Sequence, residues 1–360
     1  MKRVNNLFNK FIELDNLEKA VETVASGHRW KAGHKRNITA KQMESDPQKY
    51  AKIIQQIILD GLEPSPVRTR RRWDKSAGKW RDIAEPRLWP DQVIHHAIIQ
   101  TIQPILMKGM DYWCCGSIKG RGAKRGKAGI ERWIREDKKG TKYCLCADIR
   151  HFYDSLSPTV VFELLKKKIK DRRLLDVIWK TIRGGFLIGA YFSQWFANFA
   201  LNKLDELIRR SDGTSHYVRY MDNFTIFGPN KRKLHRTRKS MQHWLKEHGL
   251  DMKNDWQVFR TETRQPQAMG YRYGEKGTRI KKRNALRLKR QLSECRLKKK
   301  HHKRIDAKFA AGLLSRLGQL RNCRSAYFYK EYVDRGLQKM LKNIVREEQR
   351  KWSMSLTETS

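Results

Sequence analysis

Acidic residues are scarce in this 360-residue chain: 37 Asp and Glu stand against 79 Lys and Arg, leaving a formal net charge of +42. Solubility does not call for such an excess. It suits a partner that is a polyanion, and phosphate backbone is the common one, whether the protein works on nucleic acid or only packages it. The six cysteines (Cys114, Cys115, Cys144, Cys146, Cys295 and Cys323) contain no Cys-x-x-Cys pair. That argues against a zinc site and for a reducing, cytoplasmic compartment. No apolar run approaches ~18 residues and no secretory leader opens the chain, so neither membrane insertion nor export is expected. With no His-Asn-His cluster and no cysteine knuckle, an endonuclease module is not expected either.

What the chain does have is a short acidic turn between apolar runs. Tyr217-Val218-Arg219 leads into Tyr220-Met221-Asp222-Asn223, and Phe224-Thr225-Ile226-Phe227 follows. The pattern reads as strand, tight turn, strand, with Asp222 displayed at the turn. Further upstream, Lys142-Tyr143-Cys144-Leu145-Cys146-Ala147-Asp148 reads as a buried strand ending on an acid. Two carboxylates placed this way can converge across a sheet. They would serve a pair of Mg²⁺ ions that clamps the attacking and leaving oxygens of phosphoryl transfer.

On these residues the chain resembles a reverse transcriptase. The resemblance implies an α+β right-hand polymerase with fingers, an antiparallel palm sheet and a helical thumb, using two Mg²⁺ ions. It makes Asp148 the aspartate of the first catalytic motif, with the Ile149 backbone as a further metal contact. Tyr153, five residues on, takes the place of the aromatic residue that excludes a ribose 2′-OH. Tyr220 to Asn223 match the Tyr-x-Asp-Asp box, with Asn223 in place of its second aspartate. Asparagine keeps one oxygen and loses a charge, so weaker metal binding is expected there. The implied layout is an N-terminal helical extension over 1–60, fingers over 61–140, palm over 141–275, and a basic helical thumb and tail over 276–360.

Around that frame, Val67 to Trp73 and Lys79 to Ile83 alternate bulky and basic residues about an Asp74–Gly78 turn, as a basic hairpin would. In the family this hairpin folds over the incoming triphosphate, and Arg81 fits the arginine that grips the phosphates. Ser117 to Lys127 combines Lys119, Arg121, Lys124 and Arg125 with three glycines, in a spacing that is neither a Walker loop nor a dinucleotide fingerprint. A template-strand contact is expected. Gly184 to Gln194 is rich in turn residues, and a helix with Phe196, Phe199, Ala200, Leu204, Leu207 and Ile208 inward is expected after it, Ser193 serving as N-cap.

Where most reverse transcriptases carry Gln-Gly-x-x-x-Ser-Pro, this chain has Ile188-Gly189-x-x-x-Ser193-Gln194. That variant resembles the enzymes of diversity-generating retroelements, which copy a template RNA unfaithfully, chiefly at adenines. It places Ile188 and Gly189 at the templating site. The partners it implies are the template RNA, the cDNA or primer strand, and a small basic helical accessory protein. A lysine is usual just ahead of the strand after Gly249-Leu250, and Lys253 is the stand-in. Ala268 to Tyr273 resembles the primer-grip strand pair, with Gly270 and Tyr271 against nucleic acid.

Lys276 to Arg304 holds 14 Lys or Arg and one acid, Glu294, over a helical face of Ala285, Leu288, Leu292 and Cys295. Lys281, Lys282, Arg287, Lys289 and Arg290 are the expected backbone contacts to a duplex. Two other readings stand beside this one: a retron or phage-defence reverse transcriptase, and a catalytically weak RNA-binding scaffold on the same fold.

Overall fold

The apolar spacing at the N-terminus builds four helices: α1 (Leu7–Ile12), α2 (Leu14–Ser26), α3 (Lys35–Ser45) and α4 (Pro47–Leu59). Residues 3–27, 35–74, 79–333 and 335–357 are described in this computed structural model. Leu17, Ala20, Val21 and Val24 are buried on one side of α2, and Ile54 and Ile58 on α4. The start of α4 follows from local chemistry: Asp46 Oδ1 accepts from the Lys49 amide at 2.9 Å, and Pro47 holds the first helical position. A long-range cap starts α1, because Asp171 Oδ2 accepts from the amides of Leu7 (2.7 Å) and Phe8 (2.8 Å).

The basic stretch forms the expected antiparallel hairpin, β1 (Arg68–Asp74) against β2 (Lys79–Glu85), with Arg72 opposite Arg81. The side chain of Arg81 lies outside the described part of the structure. Helix α5 (Val93–Met107) buries Val93, Ala97, Ile98, Ile102 and Leu106 beneath it. Helix α6 (Gly122–Glu136) takes in the second half of the basic glycine-rich stretch. Gly126 therefore lies inside a helix, where a Cβ would stand 2.7 Å from the Met269 sulfur and 3.2 Å from Val218. Its small size serves close helix packing.

The central sheet is organised around β3 (Tyr143–Arg150). Helices α7 (Phe152–Ser155), α8 (Pro158–Lys166), α9 (Arg172–Ile182), α10 (Tyr191–Ala200) and α11 (Asn202–Arg210) follow it. The chain then returns as β4 (His216–Tyr220) and β5 (Asn223–Gly228), crosses α12 (Lys231–Glu247), and adds β6 (Asp251–Met252) and β7 (Gln257–Arg260). The strand order is β4-β5-β3-β6, with β7 also paired to β3, and every pairing is antiparallel. The single amphipathic helix expected after Ser193 is divided at Leu201. It also begins earlier, at Tyr191, so Ser193 is fully buried within α10 and caps nothing. Gln92 Oε1 instead accepts from the Tyr191 amide at 3.3 Å, a tertiary contact that local sequence does not reveal.

A second, small sheet of order β10-β9-β8 joins β8 (Gln267–Ala268), β9 (Tyr271–Arg272) and β10 (Arg279–Ile280). Beyond it, α13 (Lys282–Lys300), α14 (Ala307–Leu320), α15 (Ala326–Tyr332) and α16 (Arg335–Thr357) pack around their own core of Leu288, Leu292, Leu313, Leu317 and Leu341. The protein is thus α+β, with an antiparallel sheet between a basic hairpin and a basic helical unit, the right-hand polymerase arrangement.

Candidate active site

Register brings the two acids together. Asp148, near the end of β3, stands opposite Asn223, the first residue of β5. Only Met221 and Asp222 join β4 to β5, and Met221 adopts φ 57° to close so tight a turn. The Ile149 amide donates to the Asp222 carbonyl at 3.2 Å, so the turn is seated on β3 itself. Burial, then the adjacent Asp222 carboxylate, pushes the Asp148 carboxyl up to about 7, against the opposing pull of Lys253. Lys253 Nζ pairs with Asp148 Oδ2 at 2.8 Å, while Asp148 Oδ1 is buried with no hydrogen-bond partner. Asn223 Nδ2 donates to Asp222 Oδ1 at 2.9 Å, which orients that carboxylate without repelling it. Tyr153 is half-buried nearby, and burial and the Asp222 charge hold its hydroxyl well above its usual range.

Asp148 and Asn223 border a cavity of about 390 Å³ whose lining also includes Tyr220, Gly270 and Lys281. The Met269-Gly270 turn between β8 and β9 forms one wall, and the Lys281 amide donates to the Gly270 carbonyl at 3.0 Å. Burial pulls the Lys281 ammonium below its ordinary value. Tyr271 is buried in the same strand pair, its hydroxyl donating to the Gln319 carbonyl at 3.1 Å.

The other expected contacts lie outside this cavity. Lys119 is exposed ahead of α6 and Lys124 is exposed in its first turn, whereas Arg121 Nη1 donates to the Asp111 carbonyl and Arg125 lies over the Tyr112 ring at 4.4 Å. On α13, Lys282 and Arg290 are exposed, Arg287 neighbours Arg316, and Lys289 is drawn over Tyr332 at 3.9 Å. Ile188 is 39% exposed in the loop before α10, not packed beneath it with Phe186 and Phe192. Gly189 fits against β2, where a Cβ would meet the Ala84 carbonyl oxygen at 2.9 Å.

The residues present fit a divalent cation. Lys253 pairs with one Asp148 oxygen, but the other is buried without a partner on an acid crowded by a second acid, and two carboxylates share that one cation, a donor set that suits a metal ion. Among the described residues no group of three His, Cys, Asp or Glu assembles, so the protein's own side-chain donors would be the two aspartates with Asn223. Sequence reasoning reached both aspartates and placed Lys253. It missed Arg219, Asp205 and Asn198, which lie fully or almost fully buried behind the turn.

Residues 73–273 match the family described as reverse transcriptase (RNA-dependent DNA polymerase), which is more than half of the chain. The protein belongs to the reverse transcriptase family. Protein YkfC of Escherichia coli K12 is 22% identical over 172 residues, 43% of this chain and 44% of that one. The group II intron-encoded protein LtrA of Lactococcus lactis subsp. cremoris is 24% identical over 216 residues, 56% of this chain and 34% of that one. The chain thus spans less than half the length of these curated relatives. Among solved structures, apo telomerase of Candida tropicalis superposes with a TM-score of 0.48 at 11% identity, covering 82% of this chain and 59% of that one. Candida albicans telomerase with a fragment of telomeric RNA gives 0.47 at 11% identity, covering 85% and 68%.

Proposed function

We propose that this chain is an RNA-directed DNA polymerase that copies a template RNA into cDNA, with Asp148 and Asp222 as its metal-binding pair. One observation carries the reading: the register of β3 with β5 sets Asp148, half-buried with one carboxylate oxygen unpartnered and lining a cavity, beside the acid of a two-residue turn. Two bound Mg²⁺ ions would lower the charge on the transferring phosphoryl group and activate the attacking primer oxygen. Asp148, Asp222 and, more weakly, Asn223 would hold them, with the Ile149 backbone as a further contact. Lys253 balances charge at Asp148, and Tyr153 borders the space a nucleotide sugar would take. Lys281 and the Gly270 turn would receive the primer end, Arg81 the triphosphate, and the exposed cations of α6 and α13 the template and duplex backbone. In these terms residues 61–140 act as fingers, 141–275 as palm and 276–360 as thumb.

The finer reading is an error-prone enzyme of a diversity-generating retroelement. Its support is the Ile188-Gly189 variant together with the exposure of Ile188 beside the β1–β2 hairpin. An apolar side chain there offers contact without a hydrogen bond, so discrimination rests on the shape and pairing energy of the nascent base pair. A small basic helical accessory protein, the partner expected with such enzymes, is sought by co-purification. Primer extension on an adenine-rich RNA with Mg²⁺, followed by sequencing of the cDNA, tests both levels. Extension that requires Asp148 and Asp222, with errors concentrated opposite adenine, is the expected result. A folded protein that binds RNA but extends no primer refutes the polymerase, and a uniform error spectrum refutes only the finer reading.

A further inference from the structure

We propose that Arg219 and Asn198 are positioning residues that fix the Asp222 turn and tie it to α10, the helix that leaves the templating loop. The inference rests on the polymerase reading above. Arg219 lies in β4 and is 0% exposed. Its Nε and Nη2 donate to the two carboxylate oxygens of Asp205 at 2.7 and 2.6 Å. Nη1 donates to Asn198 Oδ1 at 2.8 Å and to the Met221 carbonyl at 3.1 Å, and Nη2 reaches the Asn198 carbonyl at 3.3 Å. The same guanidinium thus grips α10, α11 and the turn residue next to Asp222.

Asn198 holds the turn from the other side. Its Nδ2 donates to the Gly116 carbonyl at 2.8 Å. Gly116 presses on the turn so closely that a Cβ there would stand 2.5 Å from both the Met221 amide nitrogen and its sulfur. The adjoining segment is stitched to β4 as well, the Cys115 amide donating to the Arg219 carbonyl at 2.8 Å and the Arg219 amide to the Trp113 carbonyl at 3.1 Å. The Tyr217 hydroxyl donates to Asp205, so the carboxylate is fully engaged.

Stability alone does not account for this arrangement. A buried ion pair spends much of its attraction on desolvation, and apolar residues of similar volume often replace one without loss of stability. What apolar residues cannot supply is a donor aimed at one carbonyl. The Met221 carbonyl has such a donor, and it belongs to a group whose remaining contacts are all locked.

Removing Arg219 alone would strand the Asp205 charge and unfold the chain. The test therefore uses the matched variant Asp205→Leu, Tyr217→Phe, Arg219→Met, and separately Asn198→Asp, which keeps the acceptor for Arg219 and loses the donor to Gly116. The first readout needs neither metal nor substrate: amide hydrogen exchange at Ile149, whose N–H bonds the Asp222 carbonyl. Protection at Ile149 should fall at least tenfold in both variants, with Leu145 and Ile226 in mid-sheet unchanged. In primer extension, kcat should fall about 10- to 100-fold at unchanged KM for dNTP and unchanged duplex affinity. More Mg²⁺ should be needed for half-maximal rate. Folded variants that keep both wild-type Ile149 protection and kcat overturn the proposal, as does an even loss of protection across the whole sheet. An inactive wild-type protein would refute the polymerase reading, while the exchange measurement would still decide the positioning role.

Discussion

The Asp222 turn and the Ile188 loop contact opposite ends of one helix, α10, and are held by opposite means. The turn is braced by a buried guanidinium, a buried carboxylate and an asparagine amide, each with its hydrogen bonds made. The loop is held by neutral contacts: Gln92 Nε2 donates to the Gly189 carbonyl at 2.7 Å, Gly189 fits closely to β2, and Phe186 is buried against Phe192 and Phe196. Groups that must bear charge at a fixed place are set in strong, directional contacts. The side chain read as judging the base pair is 39% exposed in a loop held by neutral contacts to its neighbours, so its identity can change while the fold holds. On the proposed reading, selectivity and chemistry should be separable by mutation.

The largest effect should come from the charged end. Asp148→Ala and Asp222→Ala are each expected to lower extension by about 10³-fold or more, because loss of a ligand removes the clamp on the transferring phosphoryl group. RNA affinity measured by filter binding should be unchanged, and near-wild-type extension in either variant would break the comparison. Chelation with EDTA should reproduce the loss, and added Mg²⁺ should restore it.

The seat of α10 at its loop end is tested by acid. His95 on α5 packs edge-on against Phe192 at a centroid distance of 4.4 Å, and burial, then the charge of His96, pull its pKa from 6.5 to about 3. The folded state therefore binds fewer protons than the unfolded state. The contribution of neutral His95 is complete above pH 6.5 and is lost as pH falls toward 3. By pH 5 the loss should reach about 2 kcal/mol. Denaturant titrations of wild type and His95→Phe at pH 7.5 and 5 should show that component only in the wild type.

A smaller effect is expected from the helical unit. Neutralising Lys282, Arg290 and two neighbouring cations of α13 should weaken binding to unrelated duplexes about equally. The salt dependence should flatten by ~0.7–0.9 for each phosphate that is no longer neutralised. Unchanged affinity and slope would make that helix a solvated face. At the neutral end, Ile188→Gln should lower misincorporation opposite adenine severalfold with a stability change within ~0.5 kcal/mol, as for an exposed site. An unchanged error rate in the folded variant would sink the fidelity role. The smallest effect is expected from Asn223→Asp, which trades the donor to Asp222 for a carboxylate and should hold or modestly raise the extension rate. A collapse in that rate would show that the amide contact to Asp222 is essential.

Strands and helices were legible because period and burial agree: the runs into Asp148 and Asp222 are apolar, and a two-residue turn between such runs has few alternatives. The Arg219 network was not legible. Its partners lie 14 and 21 residues away in sequence with no periodic relation, and one arginine among 79 Lys and Arg reads as surface charge. Ser193 misled for the complementary reason. It is a good capping residue by type, but the cap comes from Gln92, 99 residues before Tyr191. Lys253 could be placed by its position before β7, while its ion pair with Asp148 depends on β6 folding onto the end of β3.

The C-terminal helices keep a core of their own. Their ties to the small sheet and beyond include the Lys281 amide on the Gly270 carbonyl at 3.0 Å, the Arg324 amide donating to the Thr278 carbonyl at 2.8 Å, Tyr271 against Gln319, and Cys323 packed against the cluster around Trp133. A unit with an independent core is expected to open as its own cooperative block, at a free energy below that of the whole chain. On the proposed polymerase reading, such a block would open while β3 to β5 stay assembled, and a growing duplex would be gripped, released and regripped without disturbing the two acids.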